Sequence, residues 1–311
     1  MESPSVPQSD ATIDADHRLP QGEEIFLDHI GHFVRELQAA SRALARAGFA
    51  PTPVSVQVDG AGQPTGTGNV TAMLARGYIE VLFKTADTVL GREFDAALSR
   101  HAGVHLAAFS VADAARAHRR LAGAGFRMRP LGEFSRPVET ETGPGVAAFT
   151  VARVERGEMA EGRIQILTHR TEDTVWQERW LSHPNGTVGL ADLVVAVADV
   201  AEAAERFARF TARKTVSNRL GQVLKLDRGA VQLMSAKVFA DLLQEATIAS
   251  LPFMGAYGLV VRSLDAAGRV LRQGGIPTRQ IGQALVARFP EELGAGAWLF
   301  VERSADLPWR G

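Results

Sequence analysis

The chain has 311 residues, enough for two ordinary domains with cores of their own, and its 34 Lys and Arg nearly cancel its 35 Asp and Glu. That balance leaves no broad positive field for a phosphate backbone and argues against nucleic acid as a partner. Cysteine is absent, which removes disulfides, thiolate metal sites and a cysteine nucleophile, and no apolar run approaches the ~20 residues of a spanning helix, so a cytoplasmic protein is expected.

Residues 1–22 are rich in Pro, Ser and Asp and lack both the basic and the apolar stretch of a signal peptide, so they read as a disordered tail. LDHIGHFV, from Leu27, is a short apolar strand, and ELQAASRALARAG after it has the spacing of an amphipathic helix ending at Gly48. Val54 to Val58 reads as a middle strand, and GYIEVLF, from Gly77, closes the unit. The same order then returns. VHLAAFSV, from Val104, leads into a helix capped by Asp113 and ending at Gly125, a strand within Ala147 to Val154 follows, and GRIQILTH, from Gly162, closes. In the segment WQERWLSHPNGTVGL, His183-Pro184-Asn185-Gly186 is a turn sequence, and Trp176 and Trp180 are core residues at helical spacing.

A third unit runs from LADLVVAV at Leu190, through a helix capped by Asp199, to GAVQLMS at Gly229. A fourth runs from AYGLVVRS at Ala256, through a helix ending at Gly275, to GAWLFVE at Gly296. Four recurrences of strand, helix and closing strands predict an α+β fold of four βαβββ modules paired into two similar domains. Their expected bounds are 23–170 and 190–311, with 171–189 as linker.

LDHIGHFV, GNVTAMLARGYIEVLF and GRIQILTH resemble the module-opening and module-closing strands of glyoxalase-like proteins, the vicinal oxygen chelate superfamily, and the resemblance covers most of the chain after residue 22. It implies paired modules whose sheets curl around a cleft, with metal ligands on the first and last strand of each module. Carried across residue by residue, it implies a divalent ion (Zn, Ni, Mn or Fe) held by His29 and Glu80 of the first module and His105 and Gln165 of the second. The matching positions of the second half are Asp192, Gln232, Ala256 or Tyr257, and Leu299, too poor a set to hold a metal. Chemistry is therefore expected in the first half, and an apolar filling in the second.

Register supplies a check. His29 precedes Glu36 by seven residues and Asp192 precedes Asp199 by seven, but His105 precedes Asp113 by eight. Gapless alignment thus puts Leu106 at the ligand position, and His105 reaches it only through a bulge or a later helix start. Strand parity adds Phe33 beside His29, and Arg163 and His169 on the face of Gln165, as expected substrate contacts; Asn69, in the GTGN turn, joins them from its family position.

The resemblance implies a small-molecule site in which Glu80 also acts as a base, with metal-dependent lyase, isomerase or dioxygenase chemistry on vicinal oxygens. The alternative is a metal-free protein that sequesters a small molecule. No cluster of basic residues suited to the carboxylates of glutathione is evident. A small-molecule ligand is the expected partner, a homodimer the expected limit of assembly, and neither nucleic acid nor membrane is expected.

Overall fold

In the computed structural model, residues 17–310 are described; residues 1–16, most of the expected tail, and residue 311 lie outside them. The first module is β1 (Ile25–Phe33), α1 (Leu37–Arg46), β2 (Ser55–Asp59), β3 (Pro64–Met73) and β4 (Tyr78–Lys84). After α2 (Val89–Leu98) comes the second: β5 (Gly103–Val111), α3 (Ala114–Gly123), β6 (Gly132–Thr140), β7 (Gly143–Arg153) and β8 (Arg163–His169). A short helix, α4 (Glu172–Val175), leads to the third: β9 (Thr187–Val197), α5 (Val200–Thr211), β10 (Thr215–Asn218), β11 (Gly221–Lys225) and β12 (Ala230–Ser235). Then α6 (Ala236–Leu242) precedes the fourth: β13 (Phe253–Val261), α7 (Leu264–Gln273), β14 (Thr278–Ile281), β15 (Ala284–Arg288) and β16 (Ala297–Val301). The four βαβββ modules read from the sequence are present, and α2 and α6, which join modules within each half, are additions to that reading.

Local chemistry explains the recurrence. Asp113 and Asp199 cap α3 and α5, accepting from Arg116 N and from Ala201 and Glu202 N, while Glu36 caps α1 through Gln38 and Ala39 N. Each long helix turns a stripe of small and apolar residues inward, Ala40, Ala43 and Leu44 on α1 and Ala203, Phe207 and Phe210 on α5. The glycine before each closing strand is a backbone requirement. Gly77 and Gly229, at equivalent places, have φ of +76° and +85°, and a Cβ there would lie 2.7 Å from the Asp28 carbonyl and 2.6 Å from that of Ala191.

The first eight strands close into a barrel in the order β1-β4-β3-β2-β6-β7-β8-β5. Opening strands run parallel to the closing strands of their modules, β1 beside β4 and β5 beside β8, and antiparallel to one another. The last seam is short, Val58 opposite Ser135 and Asp59 opposite Phe134. The other eight strands make an open sheet, β10-β11-β12-β9-β13-β16-β15-β14.

Helices and the outer faces of both sheets share one apolar core, which includes Ile30, Leu121, Phe207 and Trp298. Between the halves, buried His32 is held at both ring nitrogens: Nδ1 donates to the Leu293 carbonyl at 2.9 Å and Nε2 accepts from the Tyr257 hydroxyl at 2.8 Å. Burial pushes its pKa down to about 4, so the ring is neutral.

The inner face of the second sheet is packed with Val194, Met234, Phe253, Leu299 and Trp309. Its two polar family positions are already engaged. Asp192 accepts from Trp309 Nε1 at 2.7 Å and from Arg310 Nε at 2.8 Å, and Gln232 accepts from Asn218 at 2.8 Å. No helix among the described residues is long and apolar enough to cross a membrane.

Candidate functional site

The barrel interior is built from alternate residues of its strands, and most of them are apolar: Phe33, Leu82, Leu106, Ala108, Phe149, Val151 and Leu167. Among them lies a polar ring around a chamber of about 30 Å³, to which β1 contributes His29, β3 Asn69, β4 Tyr78 and Glu80, β6 Arg136, β7 Arg153, and β8 Arg163 and Gln165. Larger cavities exist elsewhere, one of about 830 Å³ between the halves, so volume alone does not select this site. Its chemistry does, because burying this many polar groups in a hydrophobic barrel is unfavourable unless they are engaged.

His29 is oriented from behind. Its Nδ1 donates to Asp28 Oδ1 at 2.8 Å, and Nε2 faces Glu80 Oε2 at 3.5 Å. The ring also stacks on Tyr78, with centroids 4.4 Å apart. Asp28 is wholly buried, and its other oxygen accepts from His169 Nε2 at 2.9 Å. Burial alone would raise the pKa of Asp28; attraction to His169 and the hydrogen bonds from His169 and His29 outweigh it and hold the carboxyl well below the usual carboxylate range. Glu80 Oε1 accepts from Asn69 Nδ2 at 2.5 Å.

Three guanidiniums complete the ring, those of Arg136 and Arg153 buried and that of Arg163 half-buried. Arg153 Nε donates to Gln165 Oε1 at 2.9 Å and the group lies over Phe134; burial, with Arg163 nearby, pushes its pKa down to about 9. Arg163 Nη2 donates to Glu93 at 3.2 Å, and the group sits above the rings of Phe33 and Phe94. Burial also lowers the pKa of Arg136, with Glu80 acting against that shift. This convergence is not evident in the sequence, because the three arginines come from three different strands.

His29, Asn69, Glu80, Arg163 and Gln165 all line the chamber. Phe33 lies at its edge, stacked on Phe94 at 3.9 Å and lining, with Arg163 and His105, a separate cavity of about 220 Å³. His169 stands behind Asp28 rather than on the chamber wall. His105 is not brought to the site: its Nε2 donates to the His101 carbonyl at 2.8 Å and its ring packs on that of His101, while Leu106 lines the chamber, as the gapless count indicates.

Asp28, Tyr78, Arg136 and Arg153 are site residues that sequence reasoning passed over. Tyr78 shares the parity of Glu80 and was within reach of the method. Asp28 was hidden by a register shift between Leu27 and His29, which lets neighbouring residues serve one network.

As a metal centre the donor set is incomplete. His29 and Glu80 are two strong donors; the amide oxygen of Gln165 is already held by Arg153, and Leu106 takes the fourth place. Among the described residues no group of three or more His, Asp or Glu is placed to hold an ion.

A closed barrel of two βαβββ modules, with His29, Glu80 and Gln165 on opening and closing strands facing one chamber, defines a protein of the vicinal oxygen chelate class. Residues 27–211 match the glyoxalase-like domain family, and the chain belongs to that family. No protein of curated function matches the chain in sequence. Among solved structures, a hypothetical protein from Staphylococcus aureus aligns at TM-score 0.63 with 11% identity, over 89% of this chain and 98% of that one. A triple mutant of 4-hydroxymandelate synthase from Streptomyces coelicolor aligns at 0.56 with 13% identity, over 89% and 92%. The Mn(II)-bound glyoxalase from Novosphingobium aromaticivorans aligns at 0.52 with 14% identity, over 90% and 82%. At these identities the likeness is one of fold.

Proposed function

We propose that the barrel of the first two modules binds and transforms a small organic molecule bearing neighbouring oxygens, with His29 and Glu80 as the proton-transfer pair. The observation that carries this reading is the placement of the His29 ring, with Nδ1 2.8 Å from buried Asp28 Oδ1 and Nε2 3.5 Å from Glu80 Oε2; in this reading Asp28 holds the Nδ1 proton and Nε2 faces the chamber as the base. A proton taken from carbon beside a carbonyl passes to Nε2, and buried Asp28 stabilises the imidazolium that results. The guanidiniums of Arg153 and Arg163 supply positive potential for the enolate oxygen in a chamber of about 30 Å³. The reaction class is that of an isomerase or lyase.

The test is a thermal-shift panel of hydroxyketones, oxo acids and catechols on wild type, His29→Ala and Glu80→Gln. Compounds that raise the melting temperature of wild type lose that effect in both variants; stabilisation indifferent to both residues contradicts the reading.

One observation favours a metal-dependent version. The 3.5 Å between His29 Nε2 and Glu80 Oε2 matches the span of two donors each bonded at about 2.0–2.2 Å to one ion. Elemental analysis of protein purified without chelator decides it: a stoichiometric metal lost in both variants supports this version, and substoichiometric metal in all three rejects it.

A further inference from the structure

Arg136 is the arginine of the ring that the protein leaves unanswered. It is 7% exposed, yet among the described residues its guanidinium has neither a hydrogen-bond acceptor nor an ion-pair partner; Glu80 and Tyr78 act on it only through space. The other two cluster arginines are engaged, Arg153 by Gln165 and Arg163 by Glu93. A buried cation with five donors and no acceptor is costly to maintain, and an anion is what such a fork receives.

Arg136 also stands where two spaces meet. It lines the inner chamber with His29 and Glu80, and an outer cavity of about 250 Å³ whose walls include Pro53, Met73, Val138, Val175 and Trp180. The inner chamber, about 30 Å³, has room for two or three water-sized atoms at about 10–15 Å³ each, which suits the two oxygens of a planar carboxylate better than a tetrahedral phosphate. The outer cavity exceeds the roughly 150 Å³ that accepts a benzene ring.

We propose that the ligand is a carboxylate with an apolar body, its head paired with Arg136 at the chamber and its body lying in the outer cavity. This rests on the reading of the barrel as a small-molecule site and adds the class of molecule. Planar guanidinium and planar carboxylate pair through two parallel hydrogen bonds, and an apolar body gains affinity with each carbon withdrawn from water.

The experiment is isothermal titration of the full chain with hexanoate, decanoate and phenylacetate, their methyl esters, and inorganic phosphate, on wild type, Arg136→Met and His29→Ala. Wild type should bind each carboxylate at least about tenfold more tightly than its ester, decanoate more tightly than hexanoate, and phosphate more weakly than any of the three. In Arg136→Met the carboxylate and ester should bind alike, with ester affinity kept, which shows that the outer cavity is intact. Equal binding of acid and ester by wild type, preference for phosphate, no binding of any probe, or an acid preference that survives Arg136→Met would overturn the proposal. If the acid preference is missing while His29→Ala still alters ester binding, the substrate class fails and the site stands; if neither residue matters to any probe, both fail.

Discussion

Replacing Asp28 by Asn tests the network behind His29. The carboxylate is 0% exposed and accepts two hydrogen bonds, 2.8 Å from His29 and 2.9 Å from His169. The amide keeps the shape but offers one oxygen and one NH2, so one of the two rings meets a donor where it met an acceptor. Removing one partner of a buried charge network costs about 3–5 kcal/mol, and the retained bond offsets part of it, so the expected loss is about 3 kcal/mol. At about 2–4 °C per kcal/mol, the melting temperature should fall by about 6–12 °C. The pH dependence has a definite sign. The carboxyl's folded pKa is depressed below the ordinary value of 3.8, so its stabilisation is present above that value and is lost as pH falls towards the folded one. Melting curves of both proteins should therefore differ by a constant amount above about pH 5 and converge below about pH 4. Turnover should fall about 10- to 100-fold, because the His29 tautomer is no longer fixed. An Asn variant that melts within about 1 °C of wild type, with no convergence in acid, would refute the picture of Asp28 as the ionised partner of two rings.

Other consequences follow from the second half and the seam. Trp309 is 2% exposed in the apolar filling of the second sheet, so Trp309→Ala should lower stability by about 3–5 kcal/mol in urea unfolding while leaving ligand binding in the first barrel unchanged. A change below about 1 kcal/mol would show that this filling is not structural. His32, with its pKa pushed down from 6.5 to about 4, contributes stability that is complete above pH 6.5 and lost as pH falls towards 4. The shift corresponds to about 3 kcal/mol. His32→Gln should flatten the stability profile in that window, and an unchanged slope would mean that the ring is not held neutral at the seam; His101, His105 and His183, shifted the same way by burial, contribute slope that remains.

The fold was legible because its signals are local and repeat: an apolar strand, an aspartate or glutamate cap, an alanine-rich stripe, and a glycine such as Gly77 or Gly229 that only a residue without Cβ can fill. The site was legible where a recognisable string carries family positions, which gave His29, Glu80 and Gln165 on opening and closing strands and Asn69 on β3. Arg136 and Arg153 lie on β6 and β7, whose bounds the pattern leaves loose, and they line one chamber with Glu80 because β2 pairs with β6 to close the barrel. Asp28 and His29 are adjacent, and simple alternation sends them to opposite faces; the register shift on β1 makes them one unit. For His105 the chain count was the better guide, since it put Leu106 at the ligand position, and Leu106 lines the chamber.

The central claim, that His29 and Glu80 move a proton within the first barrel, is tested most directly by solvent exchange. Oxygenated compounds that stabilise the wild-type protein should be incubated with it in D2O and their carbon-bound hydrogens followed by NMR. The account predicts deuterium entering at the carbon beside a carbonyl, with the rate reduced at least about 100-fold in His29→Ala and in Glu80→Gln. Exchange that continues unchanged in both variants, or no exchange from any compound that binds in the chamber, would contradict it.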